Sequence, residues 1–407
     1  MKYLPGVKLP ANVKAVPDLK QAVEGAHVLV WVLPHQFIPR TASSVKDVIH
    51  PKAISVSMVK GGVDIAKDGL KLCSETIAEI VGHSVSVIMG ANVANEVARG
   101  DFCEATVGAT DAMTGAVHQM AFNTKSFSVN VVDEVASVEL CGAIKNVVAL
   151  AAGFTDGLGM GSNTKAAIVR LGLKEMEAFI RHFYPATSSH VFSESCGVAD
   201  LITTCFAGRN RKCAEAFAAC RVEGKSREWK DIESELLNGQ KLQGVLTAQE
   251  IYPLIELHGL QPQLPLICAT YQIACKGAHP KILFETMNIK IESLKENPAK
   301  GTPRSSKSTA PPSDSSFEEL VQAHLEKLKE THQIEKMQVC VIGSGNWGST
   351  TAKIIGENIL TGEASHYFSN EVRMWVFEED VKQADGSVRK LSEIINVDHT
   401  NVNMAVC

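Results

Sequence analysis

Short apolar runs alternate with helix-like segments over the first 130 residues. The runs at 28–33, 53–58 and 85–89 have the length and branched character of strands, and segments 19–24 and 70–80 have helical spacing. That alternation is the βαβ rhythm of a parallel sheet. From about 134 to 290 the period lengthens to that of helices. Within 164–183, Ala167, Ile168, Leu171, Met176, Phe179, Ile180 and Phe183 fall on one broad face, and further helices are expected at 209–220, 228–237 and 266–275. Segment 297–316 (NPAKGTPRSSKSTAPPSDSS) has no apolar side chain larger than Ala, so it reads as a flexible linker. A short amphipathic helix follows at about 316–331, with Ser316 and Glu319 spaced as a capping box. The apolar run from Met337 then enters Gly343-Ser-Gly345-Asn346-Trp347-Gly348, a helix is expected at 349–360, and another strand at 372–377.

The balance of 40 Lys and Arg against 45 Asp and Glu gives a net charge of −5 with no long stretch of one sign, which argues against a nucleic-acid footprint. No uninterrupted apolar run approaches the roughly 20 residues of a bilayer span, so no membrane association is expected. Eleven cysteines without a Cys-x-x-Cys pair fit reduced thiols in a cytoplasmic protein better than a disulfide framework or a metal knuckle.

A G-x-G-x-x-G pattern gains weight from its setting. Here a strand runs into Gly343 and a helix begins near Gly348, so backbone N–H groups would face a pyrophosphate. Glu378, after the next strand, would favour the free ribose hydroxyl of NAD over NADP, although it lies 378 − 343 = 35 residues on rather than about 20. Only 407 − 348 = 59 residues follow the pattern, too few for an open sheet. Residues 1–133 have βαβ texture but no such loop, so 337–407 and 1–133 are expected to complete one sheet, within a molecule or by exchange between two. Twenty linker residues reach about 25 Å root-mean-square and at most about 66 Å. The expected fold class is therefore α/β: a Rossmann-type parallel sheet assembled from the C-terminal and N-terminal segments, plus an all-helical substrate domain at 134–292, with 293–336 as linker and helix.

Lys145 is the one charge between Glu139 and Asp156. It either snorkels outward or acts as a general acid whose pKa burial lowers, with Asn146 as an orienting neighbour. Asp200, among small and apolar residues, is a helix cap or the partner that keeps such a cation tolerable. Gly208-Arg209-Asn210-Arg211-Lys212 places three cations at a helix start, suited to a phosphate or merely solvated. Lys60, after a strand and before Gly61-Gly62, either lies at the carboxyl edge of the expected sheet, where ligands bind, or is a solvated strand-end lysine; His35, after another strand, is catalytic or, as is commoner for a loop histidine, structural. No metal-ligand spacing and no Ser or Cys nucleophile stands out.

These motifs carry a resemblance. Together with Val376-Phe-Glu-Glu379, Val32-Leu-Pro-His-Gln-Phe37, Met58-Val-Lys-Gly61, Met89-Gly-Ala-Asn92, Cys141-Gly-Ala-Ile-Lys-Asn146, Glu194-Ser-Cys-Gly-Val-Ala-Asp200 and Asn238-Gly-Gln-Lys-Leu-Gln-Gly244, the sequence resembles the cytosolic-type NAD-dependent glycerol-3-phosphate dehydrogenases over about 3–290 and 337–402. The resemblance implies a homodimer that reduces dihydroxyacetone phosphate with NADH, Lys145 protonating the carbonyl oxygen. It implies Lys60, Asn146, Asp200 and Thr204 as the polar surround, and Arg209 with Asn210 as the phosphate clamp. For the cofactor it implies Gly343, Gly345, Asn346, Trp347 and Gly348 at the pyrophosphate, Phe377, Phe37, Ala94 and Arg209 as further contacts, and Lys241 with Gln243 as a flap. The departure is the order, since the family's first domain here comes last and Asn401-Val402 would continue into Lys2-Tyr3. Either the gene is truly permuted or the chain is cut from a tandem array. A catalytically silent NAD-binding regulator, or a dehydrogenase of another small hydroxy compound, are the competing readings.

Overall fold

The computed structural model describes residues 7–61, 63–66, 69–237, 242–285, 317–329, 336–383 and 385–401. The expected linker at 297–316, with the Ser316 half of the capping box, lies outside them.

In chain order the first elements are β1 (Val13–Val16), α1 (Leu19–Val23), β2 (Val28–Trp31), α2 (Ile38–Val45), β3 (Ile54–Ser57), β4 (Val63–Ala66), β5 (Gly69–Leu72) and α3 (Cys73–Val81). Then come β6 (Val85–Met89), α4 (Ala94–Arg99), β7 (Cys103–Gly108), α5 (Ala112–Phe122) and β8 (Phe127–Val132). The helical stretch comprises α6 (Val135–Gly157), α7 (Ser162–Phe183), α8 (Asp200–Ala207), α9 (Arg209–Val222), α10 (Trp229–Leu237), α11 (Gln243–Leu257) and α12 (Pro265–Lys276). The last elements are α13 (Phe317–Lys329), β9 (Met337–Ile342), α14 (Asn346–Asn358), α15 (Ala364–Tyr367), β10 (Phe368–Trp375), β11 (Asp380–Lys382), β12 (Val388–Lys390) and α16 (Leu391–Asp398). Contacts divide the chain into two compact units, one of Met1–Gly62, Lys71–Glu139 and Ser316–Cys407, the other of Val63–Leu70 and Leu140–Ser315.

The first unit holds an eight-stranded sheet in the order β1-β10-β9-β2-β3-β6-β7-β8. All neighbours run parallel except β6 with β7. Counted from β9 as strand one, its first six strands read 3-2-1-4-5-6, the doubly wound Rossmann order. The expected assembly from both ends is thus present, and it closes within one chain. Successive side chains of a strand point to opposite faces, and here both faces are covered. Val28, Val30, Val339, Val341, Val372 and Met374 enter one core, while Leu29, Trp31, Cys340 and Ile342 enter the other. Helix α13 closes part of the first core with Val321, Leu325 and Leu328, beside Val117, Met120 and Ala121 of α5.

Polar stitches join the two sequence ends. The Asn396 carboxamide accepts from Ala15 N at 2.8 Å and donates to Ala15 O at 3.0 Å, Leu9 N donates to His399 O at 2.7 Å, and Asn12 Nδ2 donates to Gly356 O at 2.9 Å.

Two expected elements shift. The helix expected at 70–80 begins at Cys73, because the alternating Gly-Leu-Lys-Leu before it forms β5. The helix expected from Ser349 starts at Asn346, inside the glycine pattern, with Gly345 as its N-cap.

Among the described residues, the regular elements of the second unit are helices apart from β4 and the start of β5. On α7, Ile168, Leu171, Met176, Phe179 and Ile180 are buried, as the periodicity requires, whereas Ala167 and Phe183 stay half-buried. Its buried Glu175 accepts from Leu266 N and Ile267 N at 3.0 and 2.9 Å, tying α7 to the first turn of α12. Helix α6 is long and apolar enough to cross a membrane by length and composition, but 89% of that window is buried, as in a core helix. It packs tightly on α9. A Cβ at Gly153 would lie 2.2 Å from Arg211 O, and one at Gly157 2.3 Å from Glu215 O.

Candidate active site

In the first unit the candidate residues gather beyond the carboxyl ends of the parallel strands. Gly343 follows β9, Phe37 follows β2, Lys60 follows β3, Ala94 follows β6 and Phe377 follows β10. Between β9 and β2 the strand order reverses, the place where ligands bind in this architecture. The turn is built for close backbone approach. Gly343 has φ +126°, and a Cβ there would lie 2.5 Å from Val32 O; a Cβ at Gly348 would lie 2.0 Å from Gly343 O. Helix α14 opens on this turn, so its unpaired N–H groups and dipole suit an anion. The buried Oδ1 of Asn346 has no hydrogen-bond partner there. Gly345, Asn346 and Trp347 all lie at this turn, the first as N-cap and the other two in the first turn of α14.

Lys60 Nζ lies 3.4 Å from Gly90 O and 5.6 Å from the centre of the Trp347 ring. The Ala94 carbonyl accepts from Thr350 Oγ1 at 3.3 Å. Phe37 and Phe377 are 48% and 65% exposed, large apolar rings left available beside the turn-bearing edge. His35 lies in the short turn His35–Phe37. Glu378 departs from its expected role. Its two oxygens accept from Ser392 N at 3.1 Å and Ser392 Oγ at 2.7 Å, so it caps α16 instead of waiting for a ribose. Asn401, a lone amide with no motif around it, is buried behind the turn and donates to Ser344 O at 2.8 Å and Ser349 Oγ at 2.9 Å.

In the second unit the Lys145 ammonium and the Asp200 carboxylate form an ion pair with both side chains buried, so Lys145 does not snorkel. Lys145 sits mid-way along α6; Asp200 opens α8 directly after the wide π-helical turn Ser195–Ala199. A charge this far from water persists only with a close partner. Thr204, one turn on, donates to Asp200 O at 2.6 Å and holds the start of α8. Asn146 Nδ2 donates back to Gly142 O and Ala143 O, and its Oδ1 accepts from Asn210 Nδ2 at 2.9 Å. Asn210 Oδ1 in turn accepts from Gly244 N at 2.9 Å. That chain links α6, α9 and α11, and it requires glycine at 244, where a Cβ would lie 2.5 Å from Asn146 O. Burial pushes the neighbouring Cys205 thiol up to about 12, so it is no nucleophile at neutral pH.

The cation cluster divides. Arg211 Nε meets Asp156 Oδ2 at 2.5 Å, an oxygen shared with Lys165 Nζ at 2.7 Å, and Arg211 also reaches Glu215 at 3.1 Å. Arg211 is therefore a structural cation, and the signal for its partner was Asp156, the acid that ends the apolar stretch of α6. Arg209 stays at the exposed first turn of α9, next to the buried Asn210. Gln243 opens α11 with its Oε1 buried and without a hydrogen-bond partner. Lys241 lies outside the described residues.

Comparisons with known proteins place the sequence in one family. The model for the NAD-dependent glycerol-3-phosphate dehydrogenase C-terminus matches residues 134–285, and the model for the N-terminus of the same enzymes matches 1–115 together with 338–406. The human protein named glycerol-3-phosphate dehydrogenase [NAD(+)], cytoplasmic, is 53% identical over 278 residues, 68% of this chain and 78% of that protein. The chain belongs to the NAD-dependent glycerol-3-phosphate dehydrogenase family.

A zebrafish glycerol-3-phosphate dehydrogenase 1-like protein is 49% identical over 296 residues, 70% of this chain and 83% of its own length. Among solved structures, the Plasmodium falciparum glycerol-3-phosphate dehydrogenase superposes with TM-score 0.66 at 37% identity, covering 70% of this chain and 79% of that one. The DsGPDH of Dunaliella salina gives TM-score 0.67 at 38% identity over 70% of this chain, which spans 49% of the Dunaliella chain. The family's N-terminal region is matched in two pieces taken from opposite ends of this sequence, so the order is permuted relative to the family. Neither model covers 286–337, the stretch that contains α13.

Proposed function

We propose that the chain interconverts dihydroxyacetone phosphate plus NADH with sn-glycerol 3-phosphate plus NAD, with Lys145 as general acid and base. The observation that carries the chemical assignment is the buried Lys145–Asp200 pair beside the Asn146–Asn210–Gly244 chain. When bound, NADH supplies the hydride to the substrate's carbonyl carbon. As that carbonyl becomes an alkoxide, the Lys145 ammonium gives its proton to the oxygen; in oxidation the neutral amine takes it back. Asp200 keeps the ammonium charged and aimed, and Lys60, Asn146 and Thr204 complete the polar surround.

Arg209 pairs with the substrate phosphate as a charged fork, and Asn210, with one amide N–H already given to Asn146, offers the other. The pyrophosphate is held by Gly343, Gly345, Asn346, Trp347 and Gly348, with Phe377, Phe37, Ala94 and Arg209 as further contacts and Lys241 and Gln243 as a flap. The glycine turn fits that group, because its atoms already fill the space that side chains would need, and its orphaned Asn346 oxygen gains a partner. Residues 1–133 with 337–407 are the dinucleotide-binding part, 134–292 the substrate part, and 293–336 the joining segment. The protein is cytoplasmic, as its relatives are named, and the homodimer that the resemblance implies is part of this proposal.

The test is NADH oxidation by the purified chain with dihydroxyacetone phosphate beside unphosphorylated dihydroxyacetone. Turnover is expected with the phosphorylated substrate alone. A folded chain that binds NADH and turns over neither would support the silent regulator instead.

A further inference from the structure

The glycine turn has an unusual support. Asn401 is 3% exposed, and its amide nitrogen serves both Ser344 O at 2.8 Å and Ser349 Oγ at 2.9 Å, while Ser349 Oγ donates to Ser344 O at 3.2 Å. Two donors, Asn401 Nδ2 and Ser349 Oγ, themselves hydrogen-bonded, therefore converge on one carbonyl, that of the peptide between Ser344 and Gly345. We propose that Asn401 is a positioning residue for the dinucleotide, locking the Ser344–Gly345 peptide so that its N–H, not its carbonyl, is presented to the pyrophosphate. The proposal rests on the dinucleotide reading above.

The argument is one of peptide geometry. In a trans peptide the C=O and the following N–H point in opposite directions, so a carbonyl held at Asn401 turns the Gly345 N–H to the other side. Gly345 has no Cβ, and a rotation of this plane by about 180° meets little steric resistance on that side. The rotated plane would aim carbonyl lone pairs at an anion. Any population in that state lowers the apparent affinity by the fraction competent to bind. Both amide hydrogens of Asn401 have acceptors, and because the group is buried, losing the arrangement would leave it unsatisfied. The residue comes from the segment after α16, delivered by the left-handed turn at His399, φ 54°.

The experiment uses the full chain and measures NADH affinity by fluorescence, with steady-state kinetics and thermal unfolding alongside. Asn401→Ala removes both donors, and its NADH dissociation constant is expected to rise about tenfold, on the order of two lost hydrogen bonds. Its kcat at saturating NADH and its KM for dihydroxyacetone phosphate should stay within about twofold. Asn401→Asp keeps the volume but replaces the amide with a carboxylate that repels Ser344 O, so its affinity should fall below that of the alanine variant. A role in packing alone predicts the reverse, with aspartate close to the parent. Dissociation constants within twofold of the parent in both variants, whatever happens to the melting temperature, would overturn the proposal. A parent chain that folds without binding NADH would remove the dinucleotide reading and the proposal together.

Discussion

On the proposed reading, the two units each hold a charged reactant, with opposite materials. In the first, the groups offered to the ligand are backbone N–H atoms, and the decisive residues are glycines whose missing side chains let main chain approach main chain. In the second, the decisive groups are side-chain charges and amides buried among helices, Lys145 with Asp200 and Asn146 with Asn210. At its glycines the first kind of site is limited by volume, so that one added methyl is enough to break it. The second is sensitive to charge and tolerates equal volume.

The largest effect expected from this contrast is at Lys145. Lys145→Met should abolish measurable turnover while NADH binding persists, and the stranded Asp200 carboxylate should lower stability by about 3–5 kcal/mol. Adding Asp200→Leu should restore most of that stability and none of the activity, by denaturant unfolding and by rate. Recovery of turnover in the double variant would refute the proton role. Next comes Gly348→Ala, a change of one methyl and no charge. Its Cβ would need space already held by Gly343 O at 2.0 Å, so NADH binding should be lost while Lys145 and Asp200 stay paired. Unaltered NADH affinity would mean that the turn is not where the dinucleotide lies. The smallest effect is expected at Arg209. Arg209→Ala should raise KM for dihydroxyacetone phosphate by about ten- to a hundredfold, the worth of a charge-assisted hydrogen bond, with kcat and melting temperature little changed. An unchanged KM would make the cluster a solvated face like any other.

Much of the sheet was legible because its signals are local. The run Met-Gln-Val-Cys-Val-Ile entering Gly343 states a buried strand and a phosphate turn in a dozen residues, and β2, β3 and β6 carry similar runs. The β7–α5–β8 extension was not singled out, since an antiparallel step after β6 leaves no motif of its own. The Lys145–Asp200 pair was readable because two charges interrupt apolar text. What the sequence hides is partnership. Nothing in Arg-Asn-Arg-Lys says that Arg211 belongs to Asp156 while Arg209 does not, and Glu378 looks the same whether it caps α16 or meets a ribose. Asn401 was invisible for the same reason, as a lone amide acquires meaning only from what lies across from it.

The permuted order has a consequence in time. Val28 pairs in register with Val339, a separation of 339 − 28 = 311 residues, and Val13 with Val372, a separation of 359. Closing loops of that length in place of ones of about 25 residues adds only about 2 kcal/mol of entropy, because the cost grows with the logarithm of length. Synthesis is a harsher constraint. At roughly 5–20 residues per second, β2 emerges about 15–60 s before the strand that covers its edge. During that interval the nascent sheet presents an unpaired, apolar parallel edge, the surface most prone to associate with other chains. That edge stays open, or must be guarded, until β9 arrives with the last sixth of the sequence.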